Sequence, residues 1–505
     1  MSGSPSPSPP TLEVFLDAPE EFVPRAAWVL ETLLAPLGRR VAVIRDPAQA
    51  TGAALAYAPA PLAGVPTIPC SAEAMGLYAT TRPLPAGAFA RRTQTGTGPD
   101  AEDAGPLVAA FPTADDAGFA APFDLVSSSF ALLACWDERT SNERDRYGRL
   151  PFSASLFVAN PDLKIGDPAV DRYVRLLRAI LAPRLAGLGL DPLPRPGWMW
   201  GEASFAIALT HDVDNLWRWT RRGFAAAGYR TIRAVGRRDG TAARRELGDA
   251  ADWLFRHLPR RTDPFWTFPQ ILGGEDARGV TSTFFVIARH THKQDGNQPE
   301  TYRKRIPAAL SLLARHGREI GLHGNDADRL GVDPLVHDRA LLARNARAAI
   351  DGIRYHYLRS LYHETLPLLE QSGFSYDTSL AFAEREGFRC GCSFPFRPYS
   401  LAEERPLDLV ELPLAVMDGS LQQPHYRGLP AGEAELAAVA ILDRVRTSGG
   451  ASSLLWHNNR FDPRLSRGYD KVYWRLVEGV RDHGGIATSA GDIVARWRQT
   501  FGMRP

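Results

Sequence analysis

The first 210 residues contain no histidine, and all twelve in the 505-residue chain lie at or beyond His211. Metal binding and proton transfer near neutral pH are therefore expected in the second half. Cysteine is scarce as well. Cys70, Cys135, Cys390 and Cys392 are too few for a disulfide framework, which suits a reducing compartment. Cys390-Gly-Cys392 is a lone C-x-C, read most simply as ordinary structural thiols. No apolar run approaches the roughly 20 residues that a membrane helix needs. The opening "MSGSPSPSPPTLEVF" lacks the basic start and long apolar segment of a signal peptide. The expectation is a cytoplasmic protein with no membrane span. With a net charge of only +2, no whole-chain case for nucleic-acid or membrane binding follows.

What is present is the composition of a soluble globular protein, 44% hydrophobic and 23% charged, in a chain too long for one ordinary domain. Residues 1–10 read as a short disordered Ser/Pro tail. A Gly- and Pro-dense stretch, "GLGLDPLPRPGWMWGE", marks a boundary near residue 198. Before it, residues 11–198 read as a smaller α/β domain of unknown role, with strand-like "TLEVFLD", "RRVAVIRD" and "AALAYAP". In "ACWDERTSNERDRYGRLP", Glu138, Glu143, Arg144 and Asp145 read as solvated or paired surface groups.

Residues 199–505 alternate strand-like and helical runs. Strand-like runs are "SFAIALT", "VTSTFFVIA", "REIGLHG", "GIRYHYL", "LVELPLAV", "ASSLLWHN" and "GGIATSA". About seven such β/α units imply a parallel sheet closing toward a barrel. Polar residues gather at the strand ends. Asp212 and Asp214 follow the first strand, His323 ends "EIGLH", and Arg354 and His356 lie in "IRYHYL". Asp377 begins "YDTSL", and His457 ends "SLLWH". Strand C-termini are where barrels and open α/β sheets build their sites.

Alternate residues of an extended chain face the same way, so Asp212 and Asp214 can share a cavity while Val213 turns into the packing. Two adjacent carboxylates repel unless a cation lies between them. A divalent ion resolves this, with one aspartate binding it and the other free to take a proton from water. The plainer alternative is that both carboxylates cap the following turn.

"LTHDVD", "EIGLHG", "IRYHYL", "YDTSL" and "SLLWHN", in that order, resemble the motifs of the polysaccharide deacetylases, the NodB-homology group of carbohydrate esterase family 4. The resemblance is closest to a branch whose first motif is H-D-V-D and which carries an extra N-terminal domain. It implies a distorted (β/α)7-type barrel that removes acetyl groups from sugar nitrogen with a divalent metal, often zinc. Asp212 would then be the general base, Asp214 and His323 metal ligands, Arg354 the residue orienting the base, Asp377 a supporting acid and His457 the general acid. The family's second motif carries another histidine four residues after the first, and that position here is Ala327. Asp326, Asp328 and His356 could complete the ligand set. His356 is favoured because it lies two residues beyond Arg354, where the family usually has proline.

Between the first two strands a basic insertion, at about residues 216–262, holds twelve arginines against four acids. It reads as a helical insertion with a solvated face, and nucleic-acid binding would rest on it alone. The expected partner is a carbohydrate or small amide substrate. The competing expectation, prompted by Ala327, is a non-catalytic glycan-binding or scaffold protein on a decayed barrel. Nothing in the sequence bears on oligomeric state.

Overall fold

Residues 11–16 point Leu12, Val14 and Leu16 into a core and Glu13 outward, and in the computed structural model they are the second strand of a four-stranded parallel sheet. The structure describes residues 8–92, 107–114, 117–255, 262–292, 295–296 and 299–503. Most of the expected tail, residues 1–7, and residues 256–261 of the basic insertion lie outside the described residues. The first sheet comprises β1 (Thr11–Leu16), β2 (Arg40–Ile44), β3 (Leu55–Ala58) and β4 (Thr67–Pro69), in the order β2-β1-β3-β4. Helices Val23–Leu34, Leu125–Leu133 and Ala169–Gly187 pack together against it.

The second sheet has nine strands, all paired in parallel: β5 (Phe205–Val213), β6 (Thr283–Val286), β7 (Glu319–Gly324), β8 (Gly352–Tyr355), β9 (Tyr376–Asp377), β10 (Val410–Glu411), β11 (Leu414–Met417), β12 (Ala451–Leu455) and β13 (Gly485–Thr488). Their order is β10-β9-β8-β7-β6-β5-β12-β11, with β13 beside the first half of β5. The order ends on two strands separated by only Leu412 and Pro413. Leu412 N–H donates to the Asp377 carbonyl on one side, and the Pro413 carbonyl accepts from Ser453 N–H on the other, both at 2.8–3.0 Å. One run of backbone, 410–417, therefore stitches the two ends of the curled sheet together, and seven strand positions make a distorted (β/α)7 barrel. All nine residues of β5 are buried, as expected of a parallel strand covered on both faces.

Met199, Trp200, Phe285, Tyr376 and Trp497 fill the end of the barrel opposite the strand C-termini. Most of the basic insertion forms two helices, Arg221–Gly236 and Gly240–Leu254, packed on each other. Among the described residues no helix is long and apolar enough to cross a membrane.

The part before residue 198 is bonded to the chain that links β9 to β10. Arg25 pairs with Glu404 at 2.6 Å, Trp28 Nε1 donates to the Arg397 carbonyl at 2.7 Å, and Ser393 N–H donates to Asp171 at 2.9 Å. Glu138, read from sequence as a solvated or paired group, is paired and buried: it binds Arg389 and accepts the Tyr362 N–H.

Two glycines test this packing in opposite senses. A Cβ on Gly352 in β8 would lie 1.9 Å from Tyr376 Cζ, and that ring is held by its hydroxyl bond to Glu319 at 2.8 Å. Gly352→Ala is expected to lower the unfolding free energy by about 1–3 kcal/mol or more through overpacking. Gly76, inside helix Ala72–Ala79, has open space around it. Gly76→Ala is expected to raise stability by up to about 1 kcal/mol. Urea titrations followed by circular dichroism check both.

Candidate active site

The sheet brings all seven sequence-selected side chains to, or just past, the C-terminal ends of its strands. Asp212 closes β5 with 3% exposure, Val213 turns fully into the core, and Asp214 follows just past the strand. A cavity of about 300 Å³ opens over them, lined by Asp212, Asp214, His356 and His457, with Arg146 and Tyr147 from the N-terminal part on its wall.

Arg354, fully buried in β8, uses all five of its N–H donors. Nε donates to the Thr378 carbonyl at 2.9 Å, and Nη1 to Thr210 Oγ1 at 2.7 Å and Asp212 Oδ1 at 3.2 Å. Nη2 donates to Thr378 Oγ1 and Ser453 Oγ, both at 3.1 Å. It thereby fixes the rotamer of Asp212 and keeps a positive charge beside it.

His323 faces an acceptor at each ring nitrogen: Nδ1 the Arg354 carbonyl at 2.9 Å, Nε2 the Asp214 Oδ1 at 3.0 Å. A neutral imidazole has one N–H, so it satisfies both only as an imidazolium, or with Nδ1–H donating and a cation at Nε2. His356 Nε2 lies 3.6 Å from Asp214 Oδ2. It points inward because β8 ends at Tyr355 and the chain turns through two left-handed residues, Tyr357 at φ 60° and Leu358 at φ 55°. Such conformations cost bulky side chains on the order of 1–3 kcal/mol each and cluster at functional sites.

Asp214, His323 and His356 each offer one ligand atom, all within 4.8 Å of one another. One carboxylate and two imidazoles match the donor set of an open zinc-type site, so these residues fit a divalent ion. Burial alone would raise the Asp214 pKa, but His356 and His323 hold it well below the usual carboxylate range. His356, not a residue near Ala327, supplies the third ligand atom of this group. Asp326 is instead paired with Arg359 at 2.5 Å, and Asp328 accepts the Asn325 N–H at 2.8 Å.

His457 bonds Asp418 Oδ1 through Nδ1 at 2.5 Å and presents Nε2 at 3.6 Å from Asp214 Oδ2. Burial opposes its charged form, but Asp418 outweighs this and pushes the pKa up to about 9. Sequence reasoning missed Asp418. The available signal was its position, immediately after the C-terminal end of β11, the same criterion that selected the others. Arg460, at 3.2 Å from Asp418 Oδ2, completes this acid's partners on the cavity side.

Asp377 does not line the cavity. It is fully buried and accepts from Ser379 N–H at 3.1 Å and Ser379 Oγ at 2.6 Å. It faces Glu411 in the neighbouring strand: burial raises the pKa of both, and the Asp377 charge drives Glu411 well above its ordinary value. His211 points away, with Nδ1 on the Trp456 carbonyl at 2.7 Å and Nε2 on Glu275 at 3.0 Å.

A model for a family of unknown function (DUF7033) matches residues 18–185. No curated protein matches the chain. Among solved structures, the chain is similar to a Mycobacterium smegmatis protein assigned as a polysaccharide deacetylase, at 21% identity over 62% of this chain and 96% of that one, with a TM-score of 0.39. It is similar to Puue allantoinase at 15% identity over 63% and 98%, TM-score 0.41. A Pseudomonas aeruginosa PAO1 protein assigned as a polysaccharide deacetylase aligns at 15% identity over 63% and 99%, TM-score 0.39.

The Asp377–Glu411 pair generates a pH prediction. The folded chain holds on Glu411 a proton that the unfolded chain releases above the ordinary pKa of 4.5, so stability falls as pH rises from there toward the raised folded value. Glu411→Gln removes that proton uptake. Urea titrations between about pH 5 and pH 8 are expected to show a shallower loss of stability in the variant, by up to about 1.4 kcal/mol per pH unit.

Proposed function

We propose that the protein is a metal-dependent hydrolase that removes an acyl group, acetyl in the simplest case, from the amide nitrogen of a sugar or related small amide. The barrel is then of the NodB type named by the sequence resemblance. The observation that carries this reading is the convergence of Asp214, His323 and His356 within 4.8 Å beside an arginine-held Asp212 and an aspartate-held His457. Residues 199–505 form the catalytic domain and residues 11–198 an accessory one. A cytoplasmic setting belongs to the same proposal, supported by the low cysteine count.

Asp214, His323 and His356 hold the ion, and two imidazoles with one carboxylate favour zinc. When bound, it supplies a Lewis acid next to the scissile carbonyl and lowers the pKa of nearby water. Asp212, oriented by Arg354, takes the proton from the attacking water. His457 holds a proton, retained by Asp418, and delivers it from Nε2 to the leaving nitrogen as the C–N bond breaks, so that a carboxylate and an amine depart. Asp377 supports the arrangement at one remove, since the neighbouring Thr378 supplies two of the acceptors that hold Arg354.

Metal analysis of purified protein is expected to find about one zinc per chain, lost in His323→Ala and in His356→Ala. A well-folded protein with no bound metal overturns this mechanism and favours a non-catalytic glycan-binding barrel, the reading that Ala327 supports. Asp212→Asn is expected to retain the metal yet lower acetate release by about 10²–10⁴-fold, the usual worth of a general base. Full activity in that variant removes Asp212 from the role.

A further inference from the structure

Part of the wall of the cavity comes from the N-terminal part of the chain. Residues 145–149, D-R-Y-G-R, form a tight turn in which Asp145 Oδ1 accepts from Tyr147 N–H at 2.8 Å and Arg149 N–H at 3.0 Å. Gly148, at φ 78°, donates to the Asp145 carbonyl at 2.9 Å. Buried Arg149 clamps this turn to the barrel: it pairs with Asp145 at 2.6 Å and donates to the Tyr357 carbonyl at 2.5 Å. The turn therefore docks on the strained loop that aims His356. A stack of three rings results, His356 on Tyr357 with centroids 4.0 Å apart and Tyr357 on Tyr147 at 4.5 Å.

Three guanidinium groups surround the outer ring. Those of Arg146, Arg149 and Arg359 lie 4.7, 4.9 and 5.2 Å from the Tyr147 centroid. Arg149 is paired with Asp145, and Arg359 with Asp326. Arg329 approaches Gly148 and reaches Asp326 at 3.8 Å. Arg149, Arg329 and Arg359 thus engage Asp145 and Asp326. Arg146 is exposed on the cavity wall, and among the described residues no carboxylate pairs with it.

We propose that this rim is an anion subsite: it binds a phosphoryl group carried by the same molecule whose N-acyl group reaches Asp212 and His457, so that the substrate is an N-acylated sugar phosphate, free or nucleotide-linked. The inference rests on the deacylase reading for the second half of that statement only. Arg146 presents its guanidinium on the cavity wall, and a guanidinium offers paired donors to the oxygens of a phosphate monoester or diphosphate. Tyr147 and Tyr357 provide the apolar edge along which the sugar ring lies between the two ends. The accessory part of the chain thereby selects the substrate that the barrel cleaves.

The test uses the full-length protein. Glucose 1-phosphate, which has no N-acyl group, is titrated calorimetrically against wild type, Arg146→Ala and Arg146→Lys, with glucose as the neutral control. Wild type is expected to prefer the phosphate by about tenfold or more, Arg146→Ala to lose that preference, and Arg146→Lys to keep part of it. Hydrolysis is then compared for N-acetylglucosamine, N-acetylglucosamine 1-phosphate and UDP-N-acetylglucosamine. Preference for either phosphorylated substrate should disappear in Arg146→Ala through KM, with kcat retained, and the favoured one of the two tells monophosphate from diphosphate recognition. Arg146-dependent phosphate binding without hydrolysis of any of the three keeps the subsite and removes the deacylase reading. Hydrolysis of neutral N-acetylglucosamine as efficient as of both phosphorylated sugars, unchanged by Arg146→Ala, keeps the deacylase reading and overturns the subsite. Equal binding of glucose and glucose 1-phosphate overturns it as well.

Discussion

The strand ends of this barrel depend on one buried guanidinium. Arg354 donates to groups on β5 and β12 and to the residue after β9, its ring-side face lies 4.7 Å over Phe285 of β6, and its own carbonyl accepts from His323 of β7. Its side chain thus touches three strands and the residue just after a fourth, and its backbone carbonyl reaches a fifth. Taking a cation out of water costs several kcal/mol, and only a complete set of partners offsets that. The partners here are complete, and they converge because the curled sheet brings strand ends together from around a ring. Lysine has three donors on a compact head and cannot span the same set. The orientation of Asp212 and the acceptor that faces His323 Nδ1 both follow from where Arg354 is fixed.

How much of this could be read from the sequence differs residue by residue. The strands of the barrel were legible because parallel strands buried on both faces read as continuous apolar runs, and the polar residue ending each run stood out. His356 was legible as a candidate by its spacing from Arg354, although the run "IRYHYL" gives no hint that the chain leaves the strand at Tyr355 and turns left-handed. Asp418 carried the same strand-end signal, standing just beyond "LVELPLAV"; Pro413, with no N–H to donate, splits that run into β10 and β11 without moving its end. Asp377 carried the strand-end signal but turns to Ser379 and Glu411, since which way a two-residue strand presents its side chain depends on register. Arg146 and Tyr147 could not be found by any local pattern. They lie some two hundred residues from Tyr357, and only tertiary docking joins them.

The N-terminal part is tied to the barrel by different physics from that of the active site. Glu138 with Arg389, Asp171 with Ser393, and Trp28 with the Arg397 carbonyl are long-range contacts between groups that are buried or nearly so. Breaking such a pair strands a charge or a dipole away from water, which is costlier than losing apolar area alone. These contacts fall on the segment between β9 and β10, and Arg149 adds one on the loop after β8. The N-terminal part is therefore anchored through these contacts to the connections of the barrel.

The run 410–417 has a consequence for how the chain behaves among its neighbours. An open sheet ends in two rows of unpaired N–H and carbonyl groups, a template on which another chain can add a strand. Because one stretch of backbone serves as both ends of this sheet, those two rows do not exist there. The first sheet has no such device. Its outer strand β2 leaves Val43 40% exposed, and what guards it is charge: Arg40 within the strand and Arg45 just beyond it, the latter paired with Glu20 at 2.6 Å. One sheet thus joins the two ends of its strand order through a single stretch of backbone, with β13 beside β5 off that path, whereas the outer strand of the other carries charged residues next to its exposed valine.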